Sequence, residues 1–222
     1  MPIVQTVNVG KGRAIREDGR TTGIDKRPIE HPVEVRAPGP KGNGGGLVGD
    51  EVCDGRHHGG DDQAVYAYAR EDLDEWARLL GRPLANGTFG ENLTTVGLDV
   101  TGAVIGERWQ VGNQAVLEVS VPRIPCGTFR TWMGERYWVT RFTEHGAPGA
   151  YLRVVTPGAI RSGDPVTVIH RPSHGVDIGL VFRALTTQPE LLPRLLAADE
   201  LPEEAKETAR SQVPMEVDRD PV

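Results

Sequence analysis

Ser120-Val121-Pro122-Arg123-Ile124-Pro125-Cys126-Gly127 is the stretch on which the reading of this chain turns. Upstream, Ala115 to Val121 alternates apolar and other residues with the period of two expected of a strand. The strand runs into one proline, and a second follows three residues later. Each proline fixes its own φ, removes a backbone donor and pushes the residue before it toward extended conformations. The chain therefore leaves the strand stiffly, with Arg123 and Cys126 placed between or just beyond the rigid points. Two readings of Cys126 stand side by side here. It is a thiol presented by the backbone for chemistry, or a small buried residue, since free cysteine is among the most buried residue types.

Working outward, Glu107 to Val111, the turn Gly112-Asn113 and Ala115 to Val121 read as a hairpin. Ile3 to Val9, Pro32 to Arg36, Ala64 to Tyr68, Ala150 to Val155 and Pro165 to His170 are further strands. The clearest helix is Glu71 to Leu80. Acids crowd its first turn, Leu73, Trp76 and Leu80 share a face, and Gly81 suits its C-terminal cap. Helical patches recur between Gly134 and His145. Many short strands with inserted helices predict a mainly β architecture, a β-barrel in particular.

Three loops carry unusual residues. Gly44-x-Gly46-x-x-Gly49 spells a dinucleotide fingerprint, but no helix pattern opens after Gly49, so the fingerprint is rejected. Arg56-His57-His58-Gly59-Gly60 sets two histidines beside glycines that allow close backbone approach to a ligand. Zinc held by Cys53, His57 and His58 is disfavoured, because the spacing matches no common structural site. Cys53 reads as a small buried filler. Thr88 to Thr94 is glycine-hinged and carries Asn92, which can donate and accept at once or close a local turn.

A net charge of −6 argues against a nucleic-acid binder, which needs a basic face to meet phosphates. Two cysteines are too few for a disulfide framework or for an iron–sulfur cluster held by four thiolates. No apolar run approaches the ~20 residues of a membrane span, and the N-terminus lacks the features of a secretion signal. The expectation is a cytoplasmic protein with neither nucleic-acid nor membrane partners.

Pro122-Arg123-x-Pro125-Cys126, with Asp54-x-Arg56-His57-His58-Gly59-Gly60 and Gly90-Glu91-Asn92-Leu93-Thr94, resembles the MOSC domain, named after the C-terminal part of molybdenum cofactor sulfurase. The stand-alone bacterial YiiM-like subgroup is the nearest in pattern, over about Gly23 to His170. The resemblance implies a MOSC-type β-barrel and a molybdenum cofactor, a molybdopterin, with Cys126 as the catalytic metal ligand. It places Lys26, Arg27, Arg56, His57, His58, Gly59, Gly60, Asn92 and Arg123 around that cofactor. Arg123 and Arg56 would favour the thiolate, while Lys26, Arg27 and the N–H groups of Gly59 and Gly60 would meet the cofactor phosphate. It further implies reduction of N-hydroxylated compounds, such as hydroxylamino bases. The electrons would come from a separate flavin or iron–sulfur reductase.

Composition shifts at Arg171 to Gly175, which divides the chain into residues 1–172, the barrel, and 173–222, a three-helix appendage. Val176 to Thr186, Pro189 to Ala197 and Pro202 to Val213 are its helices, with Pro189 and Pro202 at favoured first positions. The appendage is expected to be peripheral to chemistry, and a homodimer is compatible with the sequence. Alternatives to the reductase are a sulfur carrier with a Cys126 persulfide, a thiol hydrolase using His57 or His58 as base, and an adaptor working through the tail.

Overall fold

The computed structural model describes residues 1–14, 21–55, 58–215, 217 and 220. Its strands are β1 (Ile3–Gly10), β2 (Arg13–Ala14), β3 (Thr21–Thr22), β4 (Lys26–Ile29), β5 (Val33–Val35), β6 (Val65–Ala69), β7 (Leu93–Val96), β8 (Arg108–Val111), β9 (Ala115–Pro122), β10 (Ala150–Thr156), β11 (Gly158–Ile160) and β12 (Val166–His170). The α-helices are α1 (Arg70–Leu80), α2 (Gly127–Met133), α3 (Trp138–His145), α4 (Ile178–Thr186) and α5 (Glu203–Ser211). An eight-stranded sheet runs in the order β12-β8-β9-β10-β6-β7-β1-β4. Its pairs are antiparallel except β6 with β7. A parallel pair needs a crossover, and α1 supplies it. Every residue of β6 is buried, as befits a strand enclosed within the sheet.

The mainly β class with inserted helices holds, while the barrel is less complete than the sequence implies. No continuous ladder runs around the sheet among the described residues. The start of β1 meets the chain entering the edge strand β12 through the isolated bridge Ile3↔Pro165, where Val4 N donates to Asp164 O (2.9 Å) and Val166 N to Pro2 O (2.9 Å). The β8–β9 hairpin forms with Val111 opposite Ala115. In α1, Leu73 and Trp76 are buried, and Gly81 takes the left-handed cap at φ 65. Helix α2, which begins directly after Cys126, has no counterpart in the sequence reading.

Two apolar clusters fill the molecule. One is largely aliphatic and joins sheet residues such as Leu117 and Leu152 to Leu180, Val181 and Leu185 of α4. The other is aromatic, with Trp76, Phe89, Phe129, Trp138 and Phe142 packed mostly edge to face or tilted, and Trp76 stacked on Phe142. Ile124, between the two prolines, packs against both. The tail is thus docked on the sheet rather than loosely appended. Asp177 caps α4 by accepting from Leu180 N (2.6 Å). The middle tail segment, Pro189–Ala197, is 3-10 rather than α-helical, and it carries Pro193 inside, which removes a donor.

Candidate functional site

Cys126 sits at the end of the stiff exit from β9, in extended backbone (φ −132), immediately before α2. The exit spans the seam between the two apolar clusters, so the thiol is neither free nor swallowed by the core; it is half-buried. Two cavities share its side chain. The smaller, about 180 Å³, is walled by Lys26, Asp50, Asn92, Arg123 and the backbone around Gly23 and Val52. The larger, about 710 Å³, opens between the Gly39–Lys41 loop, the β9 exit and the tail. His58, Gly59, Gln63, Cys126 and Tyr151 line both.

Burial alone would push the Cys126 thiol up. The His58 hydrogen bond, the Arg123 charge and the Phe129 backbone N–H outweigh it and bring the pKa down from 9.0 to about 7. Arg123 is itself buried. Its Nη1 donates to Phe89 O (2.5 Å), and its guanidinium lies 3.6 Å from the Phe129 ring centroid and 5.3 Å from that of Tyr66. A planar cation between two rings is held rigidly, which fixes its field on the neighbouring sulfur. Tyr151 is pushed up by burial, against the nearby Arg123 charge, and so keeps its phenolic proton through neutral pH.

The glycine-rich loop turns out to be scaffolding. Gly60 N donates to Gly44 O (2.9 Å), Asp61 N to Gly39 O (2.9 Å) and Gly46 N to Ala64 O (2.6 Å). This zips residues 39–46 along 60–64 and so positions His58. Gly59 (φ 82) and Gly60 (φ 80) are required here, because a Cβ would lie 2.5 Å from Gly44 O or 2.7 Å from the Lys41 backbone.

Of the residues expected at the site, Lys26, His58, Gly59, Asn92, Arg123 and Cys126 line the smaller cavity, and Gly60 lines the larger. Arg27 is not brought there. The alternation of β4 buries Lys26 and turns Arg27 out, with its side chain 70% exposed and paired to Asp25 (2.7 Å). Arg56 and His57 lie outside the described residues. Lys26 is no free cation either, since its ammonium is matched by the buried Asp50 carboxylate. Asn92 does not close a local turn. Its Oδ1 accepts from Tyr66 N (3.1 Å), and its Nδ2 donates to Asp50 Oδ2 (2.9 Å). Cys53 is exposed at the rim of the smaller cavity, not a buried filler. The tail reaches the neighbourhood of Cys126, for Leu185, Pro202, Glu204, Ala205 and Met215 line the larger cavity.

Sequence reading missed Asp50, Tyr66, Tyr151 and Gln63. Tyr66 and Tyr151 stood within recognised strands, but only the β6–β10 pairing, which sets Tyr151 opposite Tyr66, aims both at Arg123. Asp50 carried no signal beyond its place before Cys53.

The pattern of the MOSC domain matches residues 54–167, about half of the chain. The uncharacterized protein YflK of Bacillus subtilis is 33% identical over 182 residues, which cover 81% of this chain and 79% of YflK. A protein of Gibberella moniliformis named "Reductase" is 29% identical over 186 residues, 82% of this chain but only 32% of that longer protein. The crystal structure of YiiM from Geobacillus stearothermophilus superposes with a TM-score of 0.77 at 26% identity, covering 96% of this chain and all of that one. With its thiol at the end of the proline-bounded exit and its docked helical tail, the chain belongs to the MOSC domain family and has the fold of its YiiM-like members.

Proposed function

We propose that this MOSC protein is a molybdenum-cofactor-dependent oxidoreductase that reduces N-hydroxylated compounds. The observation that carries the reading is the place of the Cys126 thiol in the wall common to two cavities, beside His58 and Arg123, which together bring its pKa down to about 7. A soft anionic sulfur next to a fixed guanidinium and a histidine is a donor set that fits the cofactor. Cys126 would be the metal ligand. Arg123 and the backbone of the smaller cavity would meet the polar remainder of the group, with Lys26 held in reserve by Asp50. When bound, the cofactor supplies two-electron redox chemistry. The protein's own residues favour the Cys126 thiolate and keep the Tyr151 phenolic oxygen protonated as a hydrogen-bond donor. Overall, R–NHOH takes up two electrons and two protons and yields R–NH2 and water. A separate flavin or iron–sulfur reductase is the proposed source of the electrons. The fungal relative named a reductase supports the class of reaction.

The test is expression in a host that makes the cofactor, followed by elemental analysis for molybdenum and turnover with an artificial electron donor. Wild type should carry the metal and reduce the substrate, whereas Cys126→Ser should do neither. A folded Cys126→Ser protein reducing at the wild-type rate would overturn the reading.

One observation favours a second reading. The Cys126–His58 hydrogen bond and lowered pKa would equally suit a sulfur carrier bearing a persulfide on Cys126. Mass spectrometry of the wild type would then show the added sulfur on the Cys126 peptide without metal.

A further inference from the structure

Close to the smaller cavity lies a carboxyl group that the chemistry above does not use. Glu91 is fully buried and lines neither cavity, so its influence on the site passes through its neighbours. Its Oε1 accepts from Gly87 N (2.5 Å) and from the Thr94 hydroxyl (2.9 Å), and its Oε2 accepts from Phe89 N (2.9 Å). Asn8 Nδ2 donates to the same Thr94 oxygen (3.0 Å), which directs the Thr94 proton onto Glu91. Burial pushes the Glu91 pKa up, and these donors pull against it.

The neighbour that matters is Phe89. Its ring is buried in the aromatic cluster, edge to face with Tyr68 (5.0 Å between centroids) and Phe129 (5.2 Å). Its main chain is held on both sides, the N–H by Glu91 and the carbonyl by Arg123 Nη1 (2.5 Å). A buried acid and a buried cation are thus tied to one residue. The preceding carbonyl, Thr88 O, accepts from Trp132 Nε1 (2.7 Å) on α2. The turn that Glu91 closes therefore grips the chain on both sides of Cys126, at Arg123 before it and at Trp132 after it.

We propose that Glu91 is a positioning residue: acting through the main chain of Phe89, it fixes the Arg123 guanidinium whose charge bears on the Cys126 sulfur. This rests on Cys126 being the reacting centre. Glu91→Gln keeps the shape of the side chain but replaces one acceptor oxygen by an NH2 group. With the remaining oxygen toward Gly87 N and Thr94, the NH2 meets the Phe89 N–H, donor against donor. The Phe89 main chain then loses its anchor, and the carbonyl that holds Arg123 turns with it.

The test reads the charge beside the thiol without turnover. Full-length protein from a host that cannot make the molybdenum cofactor is alkylated at low ionic strength with anionic iodoacetate and, separately, with neutral iodoacetamide. Both rates are followed on the Cys126 peptide, so Cys53 does not interfere. Their ratio cancels the thiolate fraction, which the two reagents share, and leaves the attraction of the reagent's carboxylate to the cation. Glu91→Gln should lower the iodoacetate-to-iodoacetamide ratio at least roughly threefold. Thr94→Val, which withdraws one donor from Glu91 and leaves Phe89 bonded, should lower stability in urea and leave the ratio at the wild-type value. An unchanged ratio in folded Glu91→Gln overturns the proposal, and so does an equal fall in Thr94→Val, which would mean general loosening. Should Glu91→Gln misfold by circular dichroism, Glu91→Asp decides by the same ratio. It keeps the charge but stops a methylene short of Phe89 N, so its ratio should also fall, and an unchanged one overturns the proposal. A wild type inactive in turnover whose ratio still falls in Glu91→Gln would count against the reductase reading and not against the positioning.

Discussion

The two cavities that meet at Cys126 are built by opposite means. The smaller is made from sheet and loop residues of the matched domain and its N-terminal flank, and it concentrates field. A guanidinium sandwiched between rings sits against a thiol, while Lys26 and Asp50 cancel a little farther off. The larger takes one wall from the tail, and its cations lie in ion pairs, Lys41 with Glu204 and Arg153 with both Asp62 and Glu118. The lesson is that one side chain can border two compartments of different make at once, one closed by sheet and loops and one walled partly by the tail.

The largest expected effect tests whether the shared residue does what both compartments imply. Cys126→Ser should lower turnover by at least roughly 100-fold, because a serine hydroxyl stays protonated and is a hard ligand. Turnover with an artificial donor is the measurement. A loss of less than threefold would break the comparison at its centre.

Removing the cation from the smaller cavity comes next. Arg123→Leu leaves the Phe89 carbonyl without its donor and the thiol without its counter-charge. Urea denaturation should show a loss of about 1–3 kcal/mol. The pH midpoint for iodoacetamide modification of Cys126, followed on its own peptide, should move up from about 7 toward 9. A midpoint that stays near 7 would mean that the smaller cavity is not polarised as described.

The same thiol couples folding to pH. Its folded pKa of about 7 is depressed below the ordinary 9.0, so ionisation favours the folded state. That stability is fully present above pH 9, is lost as pH falls through 7, and amounts to about 1–2 kcal/mol once partial solvent screening is allowed for. The stability difference between wild type and Cys126→Ser, measured at pH 6 and pH 9, should grow in favour of wild type at the higher pH. A flat difference would refute the linkage.

The smallest effect belongs to the larger cavity's rim. Lys41→Gln removes a half-exposed pair with Glu204 and should cost less than about 1 kcal/mol of stability. Urea denaturation is the measurement, and a loss above about 2 kcal/mol would mean that this rim pair matters far more than a solvent-exposed one should.

Much of this was legible from residues alone, and the parts that were not share a cause. Proline stiffness placed Cys126, helix caps placed α1, and alternation placed β9, because those are local properties of a few adjacent residues. Arg27 went astray although β4 is a strand, since which of two neighbours faces inward depends on the register with β1, not on the pair itself. Cys53 was taken for buried, since free cysteine usually is, yet it lies exposed at the rim of the smaller cavity, and nothing in its immediate neighbours signals that. The role of the tail needed the largest span of all. Its three helical stretches were readable, but nothing local says that Leu185 and Ala205 would line a cavity together with Cys126.

The seam at Ile3 and Pro165 also has a temporal side. Val7 N reaches Ser162 Oγ across 155 positions of the chain, and the residues around Val4 find their last partners only at Gly163 to Val166. At a synthesis rate of about 5–20 residues per second, β1 spends roughly 8–30 s on or beyond the ribosome before that seam can be sewn. Until then one of its edges is bare, and bare strand edges are where chains join the wrong neighbour. The isolated bridge, modest in the finished fold, covers that edge, and a contact of such long sequence separation belongs to those that form slowly.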